Sequence, residues 1–263
     1  MADPIPLKTD KPVSPASSLQ CRNMIAVASG KGGVGKTWFA ITLCNALAKR
    51  GKHVLLFDGD LGLANVDIQL GLTPERDLGA VIEGSSTLPG AVTKYPEGGF
   101  DILAGRSGSG SLATLPTQKL SDLRNDLIAI ARGYDHVVVD LGAGVDRAVR
   151  QMAGPASVTY VVVTDEPTSL TDAYAFIKLT RAASPAADLH IVVNMAANAN
   201  DGQKTYETIR KACESFLNYT PPLAGIIRRD AKVRDAIRAQ TPLMVRSPAS
   251  DAATDVEQIA KNL

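Results

Sequence analysis

The stretch that decides the fold reads Gly30-Lys-Gly-Gly-Val-Gly-Lys-Thr37, and it satisfies the pattern GxxxxGK[ST]. It follows a strand-like apolar run that ends at Ser29 and precedes an amphipathic stretch that begins near Lys36. In that context the backbone N–H groups turn inward around phosphate oxygens, and the helix N-terminus adds its positive dipole end. A glycine-rich turn without a ligand is the alternative, but strand, helix and full motif together favour a phosphate-binding loop.

Each residue type in this loop has a chemical role. Lys36 can reach the β- and γ-phosphates of a nucleotide, and the Thr37 hydroxyl can ligate Mg²⁺. Lys31 is not required by the general pattern, and it is either a surface residue or an arm that reaches the phosphates of a facing subunit. The predicted nucleotide-binding segment consists of Gly30, Lys31, Gly32, Gly33, Val34, Gly35, Lys36, Thr37 and Trp38.

Short apolar runs alternate with amphipathic stretches along the rest of the chain. Several runs are continuous, which is typical of strands covered on both faces. This alternation predicts a doubly wound α/β domain with a mostly parallel sheet. The predicted strands are Met24–Ser29, Val54–Phe57, Phe100–Leu103, His136–Val139, Val158–Val163, His190–Val193 and Leu223–Ile227, and the predicted helices are Lys36–Arg50, Leu120–Ala131, Ser169–Ala182 and Gln203–Phe216.

The composition fits one domain of ordinary size. The 263 residues are 45% hydrophobic and 21% charged, which argues against disorder. The net charge of +1 does not by itself point to a polyanionic partner. Cys21, Cys44 and Cys213 lack CxxC spacing, which argues against a disulfide scaffold, a zinc site or a cysteine-bound cluster. No apolar run has the length of a membrane helix and no secretory signal is visible, so we expect a cytoplasmic protein.

The two ends of the chain differ from its middle. Residues 1–22 are rich in Pro and Ser and lack periodicity, so we expect a flexible tail, either a solvated leader or a docking segment around Ile5 and Leu7. Residues 23–263 form the predicted domain. The last helical stretch, 256–263, has a narrow apolar stripe and one lysine, which favours packing on the core over membrane anchoring.

Acidic residues follow two of the predicted strands. Asp58 and Asp60 come just after one apolar run, and Asp140 directly ends another. Because the carboxyl ends of parallel strands form the ligand edge of such a sheet, we expect these residues beside the phosphate loop. Asp60 is placed to orient water, whereas Asp58 and Asp140 are predicted to hold Mg²⁺ with Thr37. For the residues around Asp60 the alternative is helix capping and loop turns.

Several stretches resemble one family. KGGVGKT is similar to the deviant Walker A motif of the MinD/ParA family of dimerising ATPases, and DGDLGLANVD at 58–67 is similar to the first switch segment of its flagellum-regulating branch. The string TDEPTSLTDAYAFIK at 164–178 and the triplet that begins at Asn194 are similar to the flagellar number and site-determining (FlhG/FleN) group. Three positions depart from the usual family pattern: Trp38, Leu141 and Arg228.

The resemblance implies a P-loop ATPase fold, ATP and Mg²⁺ as cofactors, and slow, partner-stimulated hydrolysis in a homodimer formed with ATP. It implies that Lys31 acts across the dimer interface and that Asp60 orients the attacking water, so Lys31, Lys36 and Asp60 are the predicted catalytic residues. Asn194 is the implied adenine contact, with a strand-end turn as the alternative. Asp230 lies in the implied second nucleotide loop.

Two outputs remain open at this point. The branch resemblance implies a regulator of flagellar number and position that contacts an SRP-type GTPase, flagellar switch proteins or a transcription activator. The alternative is a partition or positioning ATPase that acts on DNA or at the division site. Arg228, Lys232 and Arg238 are either a basic face for DNA phosphates or a solvated helix face. We expect membrane contact, at a pole or the inner face, to be weak or indirect.

Overall fold

A computed structural model describes residues 21–60, 64–105 and 114–263. Within these ranges eight strands form one sheet, and all neighbouring strands are parallel except β3 and β4, which are antiparallel. The strands are β1 (Cys21–Ala28), β2 (Val54–Gly59), β3 (Thr93–Tyr95), β4 (Phe100–Leu103), β5 (His136–Leu141), β6 (Ala156–Val163), β7 (Leu189–Ala196) and β8 (Leu223–Arg228). Their order across the sheet is β3-β4-β2-β5-β1-β6-β7-β8, which confirms the predicted doubly wound, mostly parallel sheet.

Helices cover both faces of this sheet. One apolar layer takes its helical residues from α3 to α7, and the other takes them from α1, α2 and α8 to α10. The helices are α1 (Lys36–Lys49), α2 (Val66–Leu70), α3 (Leu78–Glu83), α4 (Thr117–Ala131), α5 (Arg147–Ala153), α6 (Pro167–Ala183), α7 (Ala199–Leu217), α8 (Ala231–Arg238), α9 (Leu243–Arg246) and α10 (Asp251–Ala260).

The continuous apolar strands are explained by these two layers. In β5, Val137 and Val139 face the layer that contains α4 to α7, whereas Val138 faces the layer that contains α1. All three are fully buried. Burial of such a side chain stabilises the fold by about 1.5–3 kcal/mol, so both faces of this part of the strand contribute to stability.

The structure differs from the sequence prediction at the N-terminal boundary of the domain and in one strand. β1 begins at Cys21, so the last two residues of the predicted tail belong to the sheet, and the rest of that tail lies outside the described residues. Strand β3 was not predicted, because Thr93-Lys-Tyr95 is short and has no apolar run. The C-terminal prediction agrees with the structure, since Val256 and Ile259 of α10 are buried in the layer beside α1. Among the described residues, no helix combines the length and apolarity needed to cross a membrane.

Candidate nucleotide-binding site

The predicted phosphate loop connects β1 to α1 at the carboxyl edge of the sheet. Gly35 immediately precedes α1 and has φ +89°, the left-handed conformation that favours glycine. A Cβ atom at Gly35 would lie 2.5 Å from Nδ2 of Asn194. The Asn194 amide, in turn, donates a 2.8 Å hydrogen bond to the carbonyl of Val34. The loop therefore needs glycine here for two reasons, and Asn194 at the end of β7 fixes its shape.

Lys36 is placed to meet negative charge. It is the first residue of α1 and only 7% exposed. Burial lowers its pKa, and the nearby carboxylates of Asp140 and Asp60 oppose that shift. The structure thus brings three predicted site residues, from α1 and from the ends of β2 and β5, to one place.

Asp58 organises the segment that contains Asp60. One of its carboxylate oxygens accepts a hydrogen bond from the backbone N–H of Asp60, and the other accepts one from the N–H of Val66, both at 3.2 Å. Burial raises the pKa of the Asp58 carboxyl, and the neighbouring Asp140 raises it further. Residues 61–63 of this first switch segment lie outside the described residues.

Asp140 is the strongest indication of a cation site. It lies opposite Asp58 in the pairing of β5 with β2, and it is 1% exposed. Neither of its carboxylate oxygens has a hydrogen-bond partner among the described residues. Burial raises its pKa, while the nearby Thr37 hydroxyl and Lys36 ammonium oppose the shift. Buried oxygens without partners, beside a hydroxyl and a second carboxylate, fit the oxygen ligands that Mg²⁺ prefers.

The loop after Asp140 joins the other two segments. The backbone N–H of Gly144 donates to the carbonyl of Ser29 at 3.0 Å, which ties this loop to the start of the phosphate loop. A Cβ atom at Gly142 would lie 3.3 Å from a carboxylate oxygen of Asp60. The loop after Asp140 therefore lies against the first switch segment, beside the phosphate loop.

A cavity of about 650 Å³ opens beside the phosphate loop, between the ends of β7 and β8. The lining of this cavity includes Gly35, Trp38, Asn194 and Asp230. These predicted nucleotide-binding residues come from three parts of the chain: the phosphate loop with α1, the end of β7 and the residues after β8. Trp38 is 6% exposed, and its indole N–H has no hydrogen-bond partner among the described residues. This volume is in the range of small-molecule sites.

Two predicted residues near this cavity have structural partners. Asp230 accepts from the backbone N–H of Lys232 at 2.8 Å and so caps α8. Arg228 also lines the cavity, but its guanidinium group pairs with Asp251 and Asp255 of α10, at 2.9 and 2.8 Å. The hypothesis of a basic face that includes Arg228 is therefore wrong for this residue, because two carboxylates already neutralise it.

Lys31 has partners that sequence reasoning missed. Its ammonium group forms an ion pair with Glu166 and donates to the hydroxyl of Thr168 at 2.7 Å. Glu166 occupies the position before α6 without a side-chain capping bond and directs its carboxylate to Lys31 instead. The segment lies 135 residues away in sequence, so no local pattern reveals the contact.

The fold and this site define a P-loop nucleotide-binding protein of the α/β class. The family described as CobQ/CobB/MinD/ParA nucleotide binding domain matches residues 25–243, and the chain belongs to that family. Over 240 residues it is 38% identical to the antiactivator FleN of Pseudomonas aeruginosa, covering 91% of this chain and 85% of that protein.

Two further comparisons agree with this assignment. The flagellum site-determining protein YlxH of Helicobacter pylori is 29% identical over 237 residues, which cover 90% of this chain and 80% of that protein. The septum site-determining protein MinD of Pyrococcus horikoshii, solved with Mg-ADP, superposes with a TM-score of 0.75 at 22% identity, covering 92% of this chain and 95% of that one. At that identity the superposition supports the fold alone.

Proposed function

We propose that this protein is an ATP-driven monomer–dimer switch that regulates flagellar number and placement. The observation that carries the switch is the meeting of Asp60, Asp140 and Lys36 beside one phosphate loop, with a second lysine, Lys31, at its start. The flagellar output rests on the similarity to FleN and YlxH over nine-tenths of the chain.

The residues divide the reaction between them. Lys36 and the loop N–H groups bind the phosphates, and Asn194 with the adjoining cavity accepts the base. Bound Mg²⁺, held by Thr37 and Asp140, would neutralise phosphate charge. Asp60 positions a water for attack on the γ-phosphate, and Asp58 holds the backbone that carries Asp60. Lys31 of one protomer reaches the phosphates of the other in the closed dimer.

Two substitutions separate binding from hydrolysis. Lys36→Ala removes the buried phosphate ligand, so we expect nucleotide binding to be lost. Asp60→Ala leaves the phosphate loop intact, so nucleotide should still bind while hydrolysis slows and the dimer persists. Hydrolysis by Asp60→Ala at the wild-type rate would remove Asp60 from the mechanism. Equilibrium binding of a fluorescent ATP analogue, sedimentation and phosphate release measure the three properties.

A count of flagella by electron microscopy tests the output. Cells that lack this gene should carry extra or misplaced flagella while chromosome segregation and division sites stay normal. The same count in cells carrying Asp60→Ala reports whether hydrolysis is needed. Normal flagella together with lost chromosomes or displaced septa would replace the flagellar output with a partition or division output and leave the ATPase switch in place.

A second output, DNA binding by the dimer, has one supporting observation. Lys232, Arg234 and Arg238 are exposed on α8, with Arg229 just before it. Basic groups on one helix can meet DNA phosphates, and such binding weakens steeply with salt. Retention of DNA that requires ATP and disappears between about 50 and 200 mM salt would favour this output. ATP-independent or salt-insensitive retention would argue against it.

A further inference from the structure

We propose that Glu166 and Thr168 form a latch that holds Lys31 inside its own subunit and so raises the ATP concentration needed for dimerisation. The inference rests on the proposed function, because it assigns a regulator to the lysine that would act across the dimer. Glu166 is then a positioning residue, which acts on the reaction only through Lys31.

The contacts that form the latch compete directly with a role across an interface. An ammonium group has three N–H donors. In this structure one meets the Glu166 carboxylate and another meets the Thr168 hydroxyl. Both acceptors belong to the same chain and lie at the start of α6. For Lys31 to extend from its own chain and direct more than one N–H at phosphate oxygens of a facing subunit, at least one of these bonds must break.

Close packing between α6 and the phosphate loop holds the latch residues near each other. A Cβ atom at Gly30 would lie only 2.2 Å from the backbone carbonyl of Asp172, so the helix rests directly on the residue before Lys31. The capping position of α6 is filled by Glu166 without a capping bond, which leaves its carboxylate available for Lys31. A contact that shifts α6 would therefore move both latch acceptors relative to Lys31.

Exposure and symmetry set the size of the effect. The side chains of Lys31 and Glu166 are 34% and 60% exposed, so the pair is a surface ion pair. Such pairs contribute about 0.2–1 kcal/mol, which is about 1.4-fold to fivefold in an equilibrium constant. A symmetric dimer releases two latches, so the factors multiply. Removing the charge at Glu166 should tighten the ATP-bound dimer by about twofold to 25-fold.

Sedimentation of the full chain with ATP and Mg²⁺ tests the latch. Dimer dissociation constants are compared for Glu166→Gln, Thr168→Ala and the control Asp165→Asn, all in an Asp60→Ala background that preserves ATP. Asp165 is the exposed neighbour of Glu166 and takes no part in the latch contacts. We expect tighter dimers for the first two, an unchanged constant for Asp165→Asn, monomers without ATP, and unchanged ATP affinity. Because Glu166→Gln removes a charge and Thr168→Ala removes a hydroxyl acceptor, a shared direction is not expected from a folding defect.

The outcomes separate the latch from the switch. A dimer in the parent that Glu166→Gln leaves unchanged or weakens overturns the latch and retains the switch. No dimer in any variant at saturating ATP overturns both. A dimer that forms only when Glu166 is replaced supports the latch in its strongest form. Dimerisation of Glu166→Gln without ATP would overturn the latch, since no nucleotide phosphate would then be present for the released Lys31 to contact.

Discussion

Replacing Asp140 by asparagine should stabilise the protein when neither nucleotide nor Mg²⁺ is bound. Burial raises the pKa of Asp140 from 3.8 to about 7. An acid with a raised pKa contributes most stability below its unfolded value, and that contribution is lost as the pH rises toward the folded value. Ionised Asp140 therefore destabilises the empty fold above pH 7.

The magnitude follows from that shift. About three pKa units correspond to about 4 kcal/mol at 1.36 kcal/mol per unit. The asparagine amide would be left without partners in the same place, which costs about 1–3 kcal/mol. At pH 8 the net gain of Asp140→Asn is about 1–3 kcal/mol, or about 2–12 °C in melting temperature for a domain of this size. At pH 5 Asp140 is mostly protonated in the folded state, so most of the penalty is absent and the gain should shrink or vanish.

Thermal unfolding at pH 5 and pH 8, in chelator and without nucleotide, measures this difference. Asp126→Asn on the exposed face of α4 is the matched control, and it should leave both melting temperatures within about a degree of wild type. With Mg·ADP present, the wild type should have the higher melting temperature, because its Asp140 carboxylate can then act as a ligand for the cation. The reasoning is refuted if Asp140→Asn is no more stable than wild type at pH 8 and its stability varies with pH as that of wild type does.

Three further substitutions probe other parts of the molecule. Gly35→Ala should abolish ATP-analogue binding and lower the melting temperature, because it combines positive φ with a 2.5 Å approach to Asn194; binding at wild-type affinity would contradict this. Phe176→Ala should lower the free energy of unfolding in urea by about 3–5 kcal/mol, since that ring is fully buried, whereas a loss below about 1 kcal/mol would show a misplaced core. Arg228→Ala should lower the melting temperature slightly, because the ion pairs with Asp251 and Asp255 are lost, without changing nucleotide affinity; a large affinity loss would show that Arg228 contributes to nucleotide binding.

The sequence predicts the centre of the sheet and the phosphate loop because both depend on local signals. The buried strands β1, β5 and β6 are continuous apolar runs, and the loop is a short motif between a strand and a helix. Acidic residues at strand ends are also local signals, so the sequence alone predicts Asp60 and Asp140 at the ligand edge. Their approach to Lys36 then follows from the parallel sheet.

What the sequence could not predict depends on contacts between distant segments. Strand β3 has no apolar pattern and exists because it pairs with β4. The sequence left Arg228 either on a basic face or on a solvated helix face because its local neighbours are basic, yet its partners lie on α10, up to 27 residues away. The sequence gives no site role to Glu166, and the lysine with which it pairs belongs to the phosphate loop. Charge counted along the chain does not reveal which charges meet.

Asp58 shows how these two kinds of information combine. Its position after an apolar run predicts a role at the cation, and its burial opposite Asp140 is compatible with that role. The coordinates add that both of its oxygens already accept backbone N–H groups, one from Asp60 and one from Val66. A carboxylate that is held in this way acts best by fixing its neighbours. We therefore expect neutralisation of Asp140 to change the electrostatics at Asp58, whose hydrogen bond holds the backbone of Asp60.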